Sequence, residues 1–403
     1  MNLLKNRSNL EFSLLVLACV FILSFAREPL FFLEPRIWAE EGTVHISSIF
    51  SNGLWVSLWQ PHLGYYSLFN NYVTSLGLGL MGLERVAYIT TALSFFIATL
   101  TVAAPLILPS KQWDTRFKRT VIIFFSLFIG TAEIWVNTIN AQFYFGLFTS
   151  FLLLSNTKAV TGWRCYYVLG MLFQAAFTGV TSVIFLPFFV WKFMQEKSMT
   201  WFEKSILVIL LFGLITQLVA LFYLGSNTGL GRFSLGNIQN FPYGVYYNLT
   251  SFIAVVGNTY IRLFLLLVVV AFAFNKKGVQ SLTAPIVLAA YVSVVFAFLA
   301  LGMGGGGRYG YIPAVLLFTS LVNSYASVIL VRILKLSIII FLLIVSFVAF
   351  FDTKNFYNSG WVSFSLENIY ENNSGELEMK LFPQWSGTNW VLKIPNEQYE
   401  HYK

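Results

Sequence analysis

The sequence predicts an all-α polytopic membrane protein. It would be a bundle of about eleven transmembrane helices, with further helices on its outer surface and a small extracytoplasmic C-terminal piece. Three observations predict this class. Hydrophobic residues make up 57% of the 403 positions and charged residues 10%, where a soluble domain carries about 25% charged residues. Apolar runs of about 20 residues, long enough to cross a bilayer, recur along the chain. The basic residues behind the net charge of +8 fall mostly in short loops between those runs, where they orient spans. This composition excludes a soluble enzyme, a nucleic-acid binder and a disordered chain. Cys19 and Cys165 lie far apart with no metal-type spacing, so neither a disulfide framework nor a zinc site is expected.

Each span follows from length and flanking charge. Lys5 and Arg7 place the N-terminus inside, ahead of a first span from about Phe12 into the low 30s. Ser24-Phe25-Ala26 resembles a signal-peptidase site. Because apolar character continues through Leu30–Leu33, an uncleaved first helix is the preferred reading. Residues 34–85 then form a first outer loop with Glu34, Glu40, Glu41 and Glu84 against few cations. Within it, 65–83 reads as interfacial helices, because counting it as a span would put Lys111, Arg116, Lys118 and Arg119 outside. Span two covers about 86–108, and spans three (120–137) and four (141–156) form a hairpin. The stretch 165–194 has cations at both ends, so it reads as two short or re-entrant helices turning at Thr178-Gly179. Spans seven to eleven run from about 205 to Phe351, with a polar outer loop from Gly225 to about Tyr247. The division expected is a membrane domain, 1–351, and an extracytoplasmic tail, 352–403, partly β in pattern. No internal repeat is visible, which weighs against a secondary transporter.

The polar features that could carry chemistry all map to the outer face. Glu40 and Glu41 are adjacent carboxylates: they read either as a general base with a neighbour or as a solvated acidic loop. Glu133, Asn137 and Asn140 step by four and then three, so a continued helix would put them on one face. That set, with Gln142, reads either as a functional carboxylate with polar partners or as an interhelical hydrogen-bond cluster. Gly307-Arg308-Tyr309 follows three further glycines; such a run permits close approach of backbone to a ligand, and Arg suits phosphate. Its alternative is an interfacial Arg reaching lipid phosphates. Arg232 and Arg262 are weaker candidates of the same kind. His45 and His62 flank the acidic pair without making a metal motif.

With these residues in view, the chain resembles the GT-C glycosyltransferases, polytopic enzymes that use polyprenyl-phosphate sugars. The resemblance rests on the Glu40-Glu41 pair, the interfacial helices after it, Glu133…Asn137…Asn140-Ala141-Gln142, the Thr178-Gly179…Pro187 hairpin, and Gly307-Arg308-Tyr309…Pro313. The nearest subgroup is the bacterial serotype-converting enzymes that decorate O-antigen of lipopolysaccharide. The resemblance implies a GT-C-like bundle in the bacterial inner membrane, N-terminus cytoplasmic and C-terminus periplasmic. It implies inverting transfer of a sugar, such as glucose, from undecaprenyl phosphate to a lipid-linked or lipopolysaccharide glycan on the periplasmic face. It implies the first-loop acid as general base, which falls on Glu40 with Glu41 as neighbour or substitute; Glu133 completes the expected catalytic set, orienting acceptor or base. Contacts to substrate would come from Arg308, Tyr309, Asn137, Asn140, Gln142, Arg232 and His62. Some relatives need a divalent cation and others do not, so a divalent cation stays open; no nucleic acid is implied. Two rivals are an O-antigen polymerase, which would rely on more basic outer loops, and a non-enzymatic lipid-linked sugar flippase.

Overall fold

Trp201–Phe222 and Ile329–Phe351 are runs of Leu, Ile, Val and Phe with no interior proline, and each forms one unbroken helix. The computed structural model describes residues 2–62, 64–129, 132–196, 198–222, 235–253, 258–273, 279–300, 305–352, 364–373, 375–382 and 390–402. The order begins with α1 (Asn2–Ala26), α2 (Leu30–Leu33), a π-helical stretch Glu41–Ile46, α3 (Ser47–Asn52), α4 (Leu54–Trp59) and α5 (Leu68–Val102). It continues with α6 (Arg116–Phe128), α7 (Ala141–Leu154), α8 (Trp163–Ala176), α9 (Leu186–Met194) and α10 (Trp201–Phe222). Then come α11 (Phe241–Thr250), α12 (Thr259–Ala273), α13 (Val279–Ala300), α14 (Tyr311–Asn323) and α15 (Ile329–Phe351). An antiparallel sheet of β1 (Ile369–Glu371), β2 (Leu377–Lys380) and β3 (Val391–Ile394), in that order, and α16 (Asn396–Tyr402) complete the described chain.

Among the described residues four helices are long and apolar enough to cross a membrane: Asn9–Ala26 within α1, then α5, α10 and α15. α1, α10 and α15 leave rows of large apolar side chains exposed, among them Leu14, Phe212 and Ile344. Apolar surface on that scale fits hydrocarbon rather than water. By contrast α7 and α14 are buried almost all round, as helices at the centre of a bundle are. They have 14 and 13 residues, roughly 20 Å of helix against a hydrocarbon core of about 30 Å. These interior helices are enclosed by protein and are released from matching the bilayer thickness.

α5 is not one rod. Gly82 sits at φ 74, ψ 179 inside it, a region open essentially to glycine alone. The chain folds back there: a Cβ on Gly77 would lie 3.1 Å from Val86. The two arms therefore pack against each other, the first heading toward the Glu41–Ile46 turn. The expected second span, 86–108, is shorter at its far end, where α5 stops at Val102 and a 3-10 turn over Ala104–Leu106 follows.

The described strands of the tail pack onto the first loop. Met379, Leu392 and Ile394 of the sheet share one core with Ile37, Ile46, Ile49 and Phe50 of the first loop and with Leu78 and Val86 of α5. Backbone bonds join them as well, from Phe364 N to Pro35 O at 2.8 Å and from Phe382 N to Ile37 O at 3.2 Å. The physical reason is size: three strands of three or four residues cannot enclose a core alone. Trp361 and Trp385 lie outside the described residues.

Gly82→Ala is expected to cost about 1–3 kcal/mol, read as a lower unfolding midpoint in detergent. An unchanged midpoint would mean that the turn does not depend on this backbone region.

Candidate active site

The first loop meets the turn between α6 and α7 through buried polar bonds. Glu41 is 1% exposed. Its Oε2 accepts from Trp38 N at 2.8 Å, and its Oε1 accepts from Thr138 N at 2.6 Å. Arg36, also buried, donates to Trp135 O at 3.0 Å and Val136 O at 3.3 Å and stacks on Phe31, with Cζ 3.8 Å from the ring centre. Both residues of the Arg36…Glu41 segment thus hold the same turn, and burial pulls the Arg36 guanidinium down to about 10, still charged at neutral pH.

Behind Glu41 runs a chain of buried groups. Thr138 Oγ1 lies against both Glu41 Oε1 and Asn70 Oδ1; Asn70 Nδ2 donates to His45 Nε2 at 2.6 Å, and His45 Nδ1 meets Asn71 Oδ1 at 2.8 Å. One Thr hydroxyl carries one proton and cannot serve two acceptors. Burial pushes the Glu41 carboxyl up, against the pull of Thr138, Trp38 and Arg36. His45 is driven down to about 3, by burial first and then by the neighbouring His62, whose ring meets it edge-on at 4.8 Å.

The turn itself departs from the sequence expectation. Glu133, Asn137 and Asn140 do not lie on one helical face: Val136 has φ 49, and among the described residues between α6 and α7 the helical element is a 3-10 turn, Ala132–Ile134. The three residues still come together, because Asn137 Nδ2 and Asn140 Nδ2 both donate to the Glu133 carbonyl, at 2.7 and 2.9 Å. Their amides face inward and fix Glu133.

Glu133 reaches Arg308. Oε1 and Nη1 are 2.8 Å apart, with side chains 17% and 27% exposed. Burial first and then Glu40 raise the Glu133 carboxyl, against Arg308's pull. Burial works to lower Arg308, yet Glu133, Tyr309, Glu40 and Tyr65 hold it above its ordinary value. Glu40 is therefore close enough to act on both partners. Glu40 Oε2, Glu133 Oε2 and Arg308 Nε are buried with no hydrogen-bond partner among the described residues. Such atoms are rare and need an explanation.

Tyr309 is wedged between Phe143 at 5.5 Å and Phe296 at 5.6 Å. Gln142 packs beside Gly179, which has φ 75 and where a Cβ would lie 2.2 Å from Gln142 Oε1; Thr181 Oγ1 donates to the Gln142 carbonyl. His62 sits beyond His45, on the far side of the Asn70 chain, and Arg232 lies outside the described residues. Thr138, Asn70 and Asn71 escape the sequence reading, in which Tyr65 figures as an interfacial aromatic; adjacent amides heading an apolar helix are the available signal. Among the described residues no three His, Cys, Asp or Glu side chains gather into a metal cage, and the cation facing Glu133 is Arg308.

Comparison with protein-family models, with curated proteins and with solved structures returns no match.

His45 binds a proton in the unfolded chain below about 6.5 and in the fold only near 3. Its contribution to stability is full above 6.5 and is lost as pH falls from there toward 3, at up to about 1.4 kcal/mol per pH unit. Denaturation series at pH 7 and pH 5 are expected to show this loss in wild type and a smaller one in His45→Gln; equal slopes in both would refute it.

Proposed function

We propose that this chain is an inverting glycosyltransferase that moves a sugar from a polyprenyl phosphate to a surface glycan. One observation carries the reading: Glu40, Glu133 and Arg308 come from three distant parts of the chain, act on one another electrostatically, and each keeps a buried polar atom without a hydrogen-bond partner among the described residues. Two carboxylates around an arginine suit transfer from a phosphate-linked donor. An apolar cavity of about 300 Å³ supports it, bounded by Tyr309, Phe296, Val180, Leu214 and Leu218 and so opening beside Arg308's neighbour. A long isoprenoid would lie there with its phosphate at the arginine.

The acceptor hydroxyl oxygen attacks the anomeric carbon from the side opposite the phosphate, and the bond from that carbon to the phosphate oxygen breaks. The electron pair leaves on the phosphate, where Arg308 stabilises it, and the hydroxyl proton passes to Glu40. Glu133 holds Arg308 in place before the donor arrives and yields it to the phosphate. Glu41 is a positioning residue in this scheme: its oxygens serve Trp38 and Thr138, which leaves Glu40 as the base. Asn137 and Asn140 position Glu133 in the same way.

The membrane placement belongs to this reading. About eleven crossings, counting the short interior helices, would set the N-terminus in the cytoplasm and the site and tail in the periplasm of a bacterial inner membrane. The first arm of α5 would lie at the outer interface.

The test is the mass of the surface-glycan repeat in cells carrying wild type or variants at matched expression. Wild type should add a hexose-sized mass; Glu40→Gln should lower transfer by roughly 10²–10⁴ and Arg308→Ala by roughly 10²–10³. Glu41→Gln should instead lower stability by about 1–3 kcal/mol, with transfer per folded molecule retained. A repeat of unchanged mass in wild type, with altered chain length, would replace the transferase by a polymerase.

A further inference from the structure

A second cavity lies at the opposite end of the bundle, away from Glu40 and Arg308. It measures about 810 Å³ and is formed by α1, the end of α5 with the turn after it, the start of α6 and the start of α8. Three arginines line it, Arg116, Arg119 and Arg164, against one carboxylate, Asp114. Asp114 is already engaged by Lys118 at 2.9 Å, so the groove keeps a net positive charge. Arg116 donates to Asn9 Oδ1 at 3.3 Å and lies over the Phe12 ring, which holds its guanidinium against α1. Arg119 Nε is buried with no hydrogen-bond partner among the described residues.

The rest of the wall is of opposite character. Leu10, Leu14 and Leu17 of α1 face Leu100 and Ile107 across the groove, and those three leucines are 60%, 56% and 36% exposed. Trp163, 64% exposed, stands at the rim, the position of an interfacial aromatic. A cluster of arginines at one end of an aliphatic trough matches one kind of molecule: a phosphate head on hydrocarbon chains. A soluble phosphate would use the arginines alone, whereas a phospholipid meets both the arginines and the aliphatic wall.

The geometry points to a binding site for an anionic phospholipid in this groove, its phosphate on Arg119 and Arg164 and its acyl chains along α1. Basic pockets between membrane helices on the cytoplasmic side take such headgroups, and by the charge rule this is the cytoplasmic end. The site is independent of the transferase reading and would hold whatever reaction the far end performs.

The test is native mass spectrometry of the full-length protein in detergent with dioleoyl-phosphatidylglycerol or dioleoyl-phosphatidylcholine, which have the same chains. Wild type should retain one phosphatidylglycerol at least about tenfold over phosphatidylcholine, and excess inorganic phosphate should not displace it. Arg119→Gln and Arg164→Gln should each weaken retention about fivefold, while the Arg119→Lys, Arg164→Lys double variant keeps most of it. Lys111→Gln removes a charge from the same loop outside the groove and should change nothing. Equal retention of the two lipids, equal loss in Lys111→Gln, or displacement by free phosphate would each overturn the site. Should the glutamine variants fail to fold, by circular dichroism, the wild-type lipid comparison and the lysine variant decide the matter.

Discussion

The Glu41 carboxyl, bonded to Trp38 N at 2.8 Å and Thr138 N at 2.6 Å, fastens two segments nearly a hundred residues apart. Everything on the polar end of the bundle hangs from that junction. The loop that carries Glu40 reaches its place because Glu41 and Arg36 both bind the 133–140 turn, and the turn presents Glu133 because Asn137 and Asn140 hold its carbonyl. A buried carboxyl with unmet bonds would be destabilising; with its bonds met it fixes one geometry. The π-helical stretch at Glu41–Ile46 belongs to the same device, since the wider turn sets Glu41 and His45 inward while Glu40 stays only half-buried.

This division of labour explains why two adjacent glutamates, alike in sequence, end in unlike surroundings. One is consumed by structure and the other keeps an oxygen without a partner among the described residues. The middle is aromatic and aliphatic, with Phe125, Phe148 and Tyr311 fully enclosed, and it acts as the rigid body against which the loops are set.

Much of the helical class could be read from composition, because long apolar runs with cations between them have few other fates. Where interior helices end was not legible: α6, α7 and α14 are shielded by protein, so bilayer thickness, the ruler used on the sequence, does not apply to them. The grouping of Glu133 with Asn137 and Asn140 was anticipated from helical spacing, but it arises from a left-handed Val136 and a shared carbonyl. The contact of Arg308 with Glu133 joins residues that no local pattern relates. Nor could the sequence reveal that the tail's strands would complete the first loop's core, since short alternating strands say nothing of what they cover.

That shared core has a consequence for the order of assembly. The loop bearing Glu40 and the strands that cover it are separated by roughly 300 residues of chain, so this contact closes late and slowly. Until β2 and β3 arrive, Ile37, Ile46 and Phe50 pack on α5 but lack the strands' half of their core, and the loop lacks part of what holds its final shape. A ribosome would have made almost the whole bundle before the Glu40 loop acquired its final form.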